Sequence, residues 1–348
     1  MKYIQTVCGK IQPEELGKTL MHEHCFVDQG TAYNTKVDDP ELAAFFKEKV
    51  SAENRNRICF HMHNHVDNLA ITDENLIIKE LKHFKKRGGN TVVDVTPPGL
   101  GRDPEALVRV SKATELNIVA TTGLYIEATH PQHTRNMGKR ELADFMIGEI
   151  QNGMDDTKIM PGYIGEIGIS DDYTERELTV LRASAIAQKE TGFSLTIHQP
   201  IFKTFALRLL DIVEAEGANL ERVVMCHCDP TLYDVDYHLD ILDRGAYVQF
   251  DQFGMEIPVT YGPYVKRWLP RDIERIRAIK HLMDKGFEDK ITTSMDICFK
   301  NLYKTFGGPG HSHIVGDLYE YFLFEGITKA QMEKILCKNP AKVLSVGS

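Results

Sequence analysis

The chain has 348 residues, 42% hydrophobic and 26% charged, with a formal net charge of -9. This excludes a disordered or fibrous protein and leaves room for two medium domains or one large α/β barrel. The acidic balance argues against a nucleic-acid partner or an anionic membrane surface, and no run is long and apolar enough to span a bilayer.

The N-terminal "MKYIQTVCGKIQPEELGK" lacks the apolar core of a secretory signal, which gives a cytoplasmic expectation. Cysteines 8, 25, 59, 226, 228, 298 and 337 are odd in number and scattered, as suits a reduced compartment rather than a disulfide framework. The opening residues predict a short hairpin with its turn at Cys8-Gly9-Lys10. Strand-like runs then follow at 19–27 ("TLMHEHCFV"), 91–98, 118–125, 162–169, 194–200, 222–228, 246–253 and 291–298. Amphipathic segments at 72–87, 103–116, 139–152, 173–191, 203–217, 232–244 and 271–285 lie between them, several opened by Asp or Thr and closed near Gly. About eight β/α units are the count of a (β/α)8 TIM barrel, here one domain over 1–348. Residues from about 30 to 68 form a long insertion after strand one, expected to act as a lid over the C-terminal mouth. The last strand leads into the Gly-rich "FKNLYKTFGGPGHSH" and two further helices.

His22 and His24 stand two apart in strand one, so they project to one face while Glu23 points elsewhere. Other polar residues fall late in otherwise apolar strands: Glu166 in strand four, His198 in five, His227 in six and Asp296 in eight. A barrel delivers all these strand ends to one mouth, where ionisable groups need partners and read as functional. Four imidazoles and two carboxylates exceed one tetrahedral zinc. They suit a two-metal site with a bridging carboxylate and a hydroxide between the ions. Cys226 and Cys228 flank His227 and should face away from it, while Cys25 and Cys298 read as packing residues. His61, His63 and His65 in "HMHNHV" imitate a second metal site but lack a supporting carboxylate shell, so solvation or packing is the expectation. Asp28, Asp94 and Asp229 read as supporting carboxylates at strand ends.

On "MHEH", "TTGLY", "IHQP", "MCHCD", "SMDI" and "NPAKVL", nearly the whole chain resembles the phosphotriesterase family of the amidohydrolase superfamily. The resemblance implies that His22, His24 and Asp296 bind the more buried metal and His198 and His227 the more exposed one. It also implies a homodimer. The best-known members bridge the metals with a carboxylated lysine. "GYIGEIGIS" offers Glu166 instead, which is similar to the subgroup called phosphotriesterase homology proteins. The implied cofactor is two divalent ions, zinc first, with Mn, Co or Ni as alternatives.

Asp296 is the expected proton acceptor from the bridging hydroxide. The resemblance implies a small-molecule substrate, with a carboxylate ester or lactone favoured, including a phosphorylated sugar lactone. A phosphotriester or phosphodiester is the alternative, as is a silent metal-binding protein. Tyr125 sits where the family places a tyrosine toward substrate. Lys300, with Lys304, Lys203 and Arg135, is a candidate for an anionic substrate group.

Overall fold

The structure is a computed structural model that describes residues 2–33, 36–261 and 265–347. Eight strands run parallel in sequence order: Lys18–Glu23, Gly89–Asp94, Asn117–Val119 continued by Thr121–Thr122, Tyr163–Gly168, Leu195–His198, Val223–Cys226, Tyr247–Phe250 and Ile291–Thr293. Their register is set by pairs such as Leu20↔Val92, Thr91↔Asn117, Thr122↔Ile164, Leu195↔Val223 and Val248↔Ile291. The third strand breaks at Ala120, dividing the ladder into two sheets that share it. Across the seam between the last and first strands, the Asp296 N–H donates to the His22 carbonyl at 3.1 Å, and the His22 N–H donates to Ser294 Oγ at 2.9 Å. The chain thus has the TIM-barrel fold, with strands buried on both faces, as parallel strands under a jacket of helices must be.

The helices start and stop where local chemistry dictates. Asp73 caps Glu74–Lys86, Asp103 caps Pro104–Thr114, and Thr174 forms a capping box with Glu177 on Glu175–Thr191. That last helix ends at Gly192, whose φ of 76° is left-handed. The N-terminal hairpin pairs Ile4–Thr6 with Gly9–Ile11, so its turn is Val7-Cys8, one residue earlier than expected, and Gly9 begins the return. Ile4 and Leu16 pack with Met21, Val93, Tyr163 and Tyr247 and with Val343 and Leu344 of the C-terminal helix. This apolar layer seals one end of the barrel and leaves the opposite end for polar side chains.

Two excursions surround the open end. The insertion carries short helices at Pro40–Phe45 and Arg55–Ile58 over its own small core of Phe45, Phe46, Val50 and Ile58. Val27–Asp28 pairs antiparallel with Ala70–Ile71 at its base. Sequence periodicity did not predict the second excursion, a hairpin of Pro258–Tyr261 with Val265–Trp268 after the seventh strand. Among the described residues no helix is long and apolar enough to cross a membrane.

Candidate active site

The open end of the barrel brings together His22, His24, Glu166, His198, His227 and Asp296, all of them buried. The two strand-one imidazoles converge as the pleat requires: Nε2 of His22 and of His24 lie 3.7 and 3.4 Å from Asp296 Oδ1. Glu166 stands at the centre. Its Oε2 is 3.6 Å from His22 Nε2, 3.0 Å from His198 Nδ1 and 3.5 Å from His227 Nε2, and its Oε1 is 3.5 Å from His24 Nε2. His227 and Asp296 reach the cluster from just beyond their strands in left-handed backbone, φ 55° and 47°. Non-glycine residues rarely adopt that conformation, and here it turns both side chains inward at the strand ends.

Burial acts against every charge in the cluster, and neighbours decide the result. Desolvation pushes the Glu166 carboxyl up, but the charge of His22 and hydrogen bonds from His198 and His227 outweigh it and hold the group well below the usual carboxylate range. Burial likewise works to lower His24, yet Asp296 and Glu166 raise it to about 9. For His22 desolvation wins, and its pKa is lowered. Its Nε2 is buried without a hydrogen-bond partner, although two carboxylates and two other imidazoles surround it. An orphaned buried nitrogen facing carboxylate oxygens is the donor set a divalent cation takes, and His22, His24 and Glu166 place ligand atoms within 4.8 Å of one another, as do His22, His227 and Asp296. The site can therefore hold a metal ion.

Partners that sequence reasoning missed hold these side chains in place. Asp251, one residue past the seventh strand, accepts from the His227 backbone N–H and lies 2.9 Å from its Nδ1. Gln249 Nε2 is 3.2 Å from His22 Nδ1, and Thr96 Oγ1 is 2.8 Å from His24 Nδ1. Glu23 points away from the cluster, as alternation requires, and accepts from Ser294 Oγ, Met295 N–H and Ile297 N–H, bracketing Asp296. The polar interruption "QFDQ" in an apolar strand was the available signal for Asp251. Of the expected supporting carboxylates, Asp94 accepts from the Cys25 and Thr96 N–H groups, and Asp229 accepts from the Asp251 and Gln252 N–H groups and the buried Arg275. Asp28 is exposed, and its carboxylate accepts from the Gly30 N–H.

Three expectations need correction. Cys226 does not face away: its thiol reaches the atoms of Glu166 and His227 closely enough to group with them. Strand alternation stops at Cys226, and the left-handed His227 puts both side chains on the inner side. Cys298 is a wall residue of the cavity rather than simple packing. Lys300 is not brought to the cavity but pairs with Asp67 of the insertion at 3.0 Å. Lys304 pairs with Asp317, Lys203 with the Asp171 carbonyl and Asp172, and Arg135 with the His130 carbonyl, also away from the cavity.

Above the cluster lies a cavity that opens to solvent. Tyr125 lines it, its Oη 3.3 Å from His198 Nε2. The insertion contributes Tyr33 and His63, whose rings pack at 4.6 Å, and His63 also packs against Phe299 at 5.0 Å. His61 and His65 turn instead to Phe45, so the three loop histidines do not converge on an ion.

The family model described as Phosphotriesterase family matches residues 2–344. The chain belongs to the phosphotriesterase family. It is 36% identical over 344 residues to the N-acetyltaurine hydrolase of Homo sapiens, covering 98% of this chain and 97% of that one. Among solved structures it is similar to a resiniferatoxin-binding protein from Rhodobacter sphaeroides, with a TM-score of 0.94, 34% identity and 98% and 94% of the two chains covered. It is also similar to the lactonase Lmo2620 from Listeria monocytogenes, with a TM-score of 0.78, 26% identity and 99% and 100% covered. The chain is thus a member of a family of hydrolases and carries a His/Asp/Glu cluster that can hold metal.

Proposed function

We propose that this phosphotriesterase-family chain is a metal-dependent hydrolase of carboxylic esters or lactones, built as one barrel domain with the 30–68 insertion as part of its substrate site. The observation that carries the reading is the gathering of six ligand-type side chains from five strands, with Glu166 at their centre and His22 Nε2 orphaned, at the floor of a cavity. His22, His24 and Asp296 would hold one divalent ion, His198 and His227 a second, and Glu166 would bridge them. Zinc suits this mixture of imidazole and carboxylate, with Mn, Co or Ni as alternatives. When bound, the ions would polarise a carbonyl oxygen and make water a nucleophile near neutral pH.

The chain's own residues do the rest. Glu166, held anionic, supplies charge that offsets the cations. Asp296 Oδ1 takes the proton of the attacking water as the carbonyl carbon becomes tetrahedral, then returns it to the leaving oxygen as the C–O bond breaks. Tyr125 Oη, on the cavity wall beside His198, orients the substrate carbonyl.

Hydrolysis of an N-acyl amide is the second reading, favoured by the identity to an enzyme named for N-acetyltaurine. Metal-loaded protein assayed on lactones, simple esters, N-acyl amides and phosphotriesters decides between them. The ester or lactone reading expects kcat/KM at least ~10-fold above the other classes, about 1.4 kcal/mol in the barrier. A leading amide or phosphotriester overturns it. A homodimer rests on the family resemblance alone, and sedimentation velocity checks it.

A further inference from the structure

The seventh barrel strand ends at Phe250, and the backbone beyond it takes its hydrogen bonds from side chains. Asp229 accepts the N–H groups of Asp251 and Gln252 at 3.0 and 3.3 Å, and Asp272 accepts that of Gly254 at 2.8 Å. Both carboxylates meet at one guanidinium. Arg275, on the helix Asp272–Asp284, donates through Nε to Asp229 Oδ1 at 2.6 Å, through Nη1 to Asp272 Oδ1 at 2.9 Å and through Nη2 to the Met255 carbonyl at 3.2 Å. Its Cζ lies 5.8 Å from the centre of the Phe253 ring. Arg275 and Asp229 are fully buried and Asp272 nearly so. One buried side chain therefore holds the turn from Asp251 to Met255. That turn serves both parts of the site, since Asp251 lies 2.9 Å from His227 Nδ1 while Gln252 and Met255 line the cavity.

We propose that Arg275 is a positioning residue of the active site: through Asp229 and Asp272 it fixes the Asp251–Met255 turn, and through Asp251 it sets the orientation of His227 toward a metal ion. The inference rests on the metal-dependent reading above and adds to it a residue that touches neither ion nor substrate. Chemistry explains the choice of arginine. A planar guanidinium presents its donors in a fixed fork, so two carboxylates and a carbonyl are held at set angles, whereas an ammonium is a point charge that fixes no directions. The cation also separates Asp229 and Asp272, two buried carboxylates that repel each other without it. At the far end of the chain His313 Nε2 lies 2.9 Å from Asp272 Oδ2.

Zinc affinity, measured by competition with a chelator, separates positioning from mere support of the fold. Arg275→Met should weaken zinc binding by roughly 10- to 100-fold, the range for partners one step removed from a ligand. It should also raise KM several-fold for the fastest substrate of the panel above. Arg275→Lys should recover part of the zinc affinity, because the charge returns without the fork. His313→Ala removes a partner of Asp272 and should weaken zinc binding far less; a loss equal to that of Arg275→Met overturns the route through Asp229. A lowered Tm with wild-type zinc affinity and KM in Arg275→Met makes the arginine a structural ion pair and overturns the inference. Hydrogen exchange on the zinc-loaded wild-type chain tests the clamp whether or not the variants fold. The N–H groups of Asp251, Gln252 and Gly254 should be protected as well as those of Tyr247–Phe250, and fast exchange there overturns the inference. Zinc-loaded wild type that turns over no member of the panel overturns the hydrolase reading instead, and the zinc affinities and exchange rates still decide the role of Arg275.

Discussion

The floor of the cavity is hydrogen-bonded and its wall is packed. On the floor each inward imidazole has a partner from another strand or the turn just past it: His22 with Gln249, His24 with Thr96, His198 with Glu166, His227 with Asp251. The wall consists of aliphatic side chains from the loops and of ring contacts such as Tyr33 with His63. Hydrogen bonds fix atoms to fractions of an ångström, whereas apolar packing tolerates exchange of one side chain for another of similar volume. A chemistry can therefore be retained on the floor while the wall changes the molecules admitted.

The comparison breaks most visibly at Glu166. Glu166→Gln keeps the shape of this side chain and removes the anion that faces four imidazoles. Metal content and turnover should fall together by more than ~100-fold, beyond the range typical of outer partners of a ligand. Elemental analysis beside His22→Asn checks it; two ions retained per chain would show that Glu166 does not bridge them.

Asp251→Asn tests whether the bonded floor extends one layer deeper. The variant preserves an acceptor for the His227 N–H but loses the charge beside Nδ1, so metal affinity should drop by roughly 10- to 100-fold, with the fold unchanged. A loss of activity with full metal affinity would instead place Asp251 in substrate positioning.

How legible this floor was in the sequence follows from the same physics. His22 and His24 share a strand, so period-two alternation alone places them together. Glu166, His198, His227 and Asp296 interrupt apolar runs that end at one mouth. Thr96 and Glu23 carried no such mark, because their partners sit on an adjacent strand far away in sequence: Glu23 bonds Ser294, 271 residues away. Cys226 misled because alternation holds only while the strand lasts. The eight strands and seven flanking helices were readable from periodicity and caps, but the hairpin at Pro258–Trp268 was not, since a short loop excursion lacks a repeating apolar period. Lys300 misled for a related reason, since sequence shows its charge and not its partner.

Acid should act on wall and underlying core alike. Burial lowers His63 and His238 to about 4 and His311 to about 3. Above pH ~6.5 both the folded and unfolded chains leave these rings neutral. As the pH falls toward the folded-state values, the unfolded chain takes up protons that the folded chain refuses, so stability falls with pH across that window. Thermal unfolding of the metal-free protein between pH 7 and pH ~4 should show a declining Tm. His311→Gln should take up about one proton fewer on unfolding and show a shallower decline. An unchanged slope in that variant would mean His311 titrates normally in the folded chain.

The smallest effect is expected at Lys300, and it separates the wall from its surroundings. Its ammonium lies 3.0 Å from Asp67 Oδ1. Asp67 also accepts from Lys49 Nζ and the Val50 N–H, at 2.8 and 2.9 Å. Removing Lys300 therefore leaves the carboxylate with two donors, and the loss is that of one partly exposed ion pair. Lys300→Met should cost no more than ~1 kcal/mol of stability, less still at high salt, because the retained methylenes keep their packing. KM should not move for neutral or anionic substrates, since the ammonium is not in the cavity wall. A several-fold rise in KM confined to anionic substrates would mean that Lys300 leaves Asp67 when substrate binds.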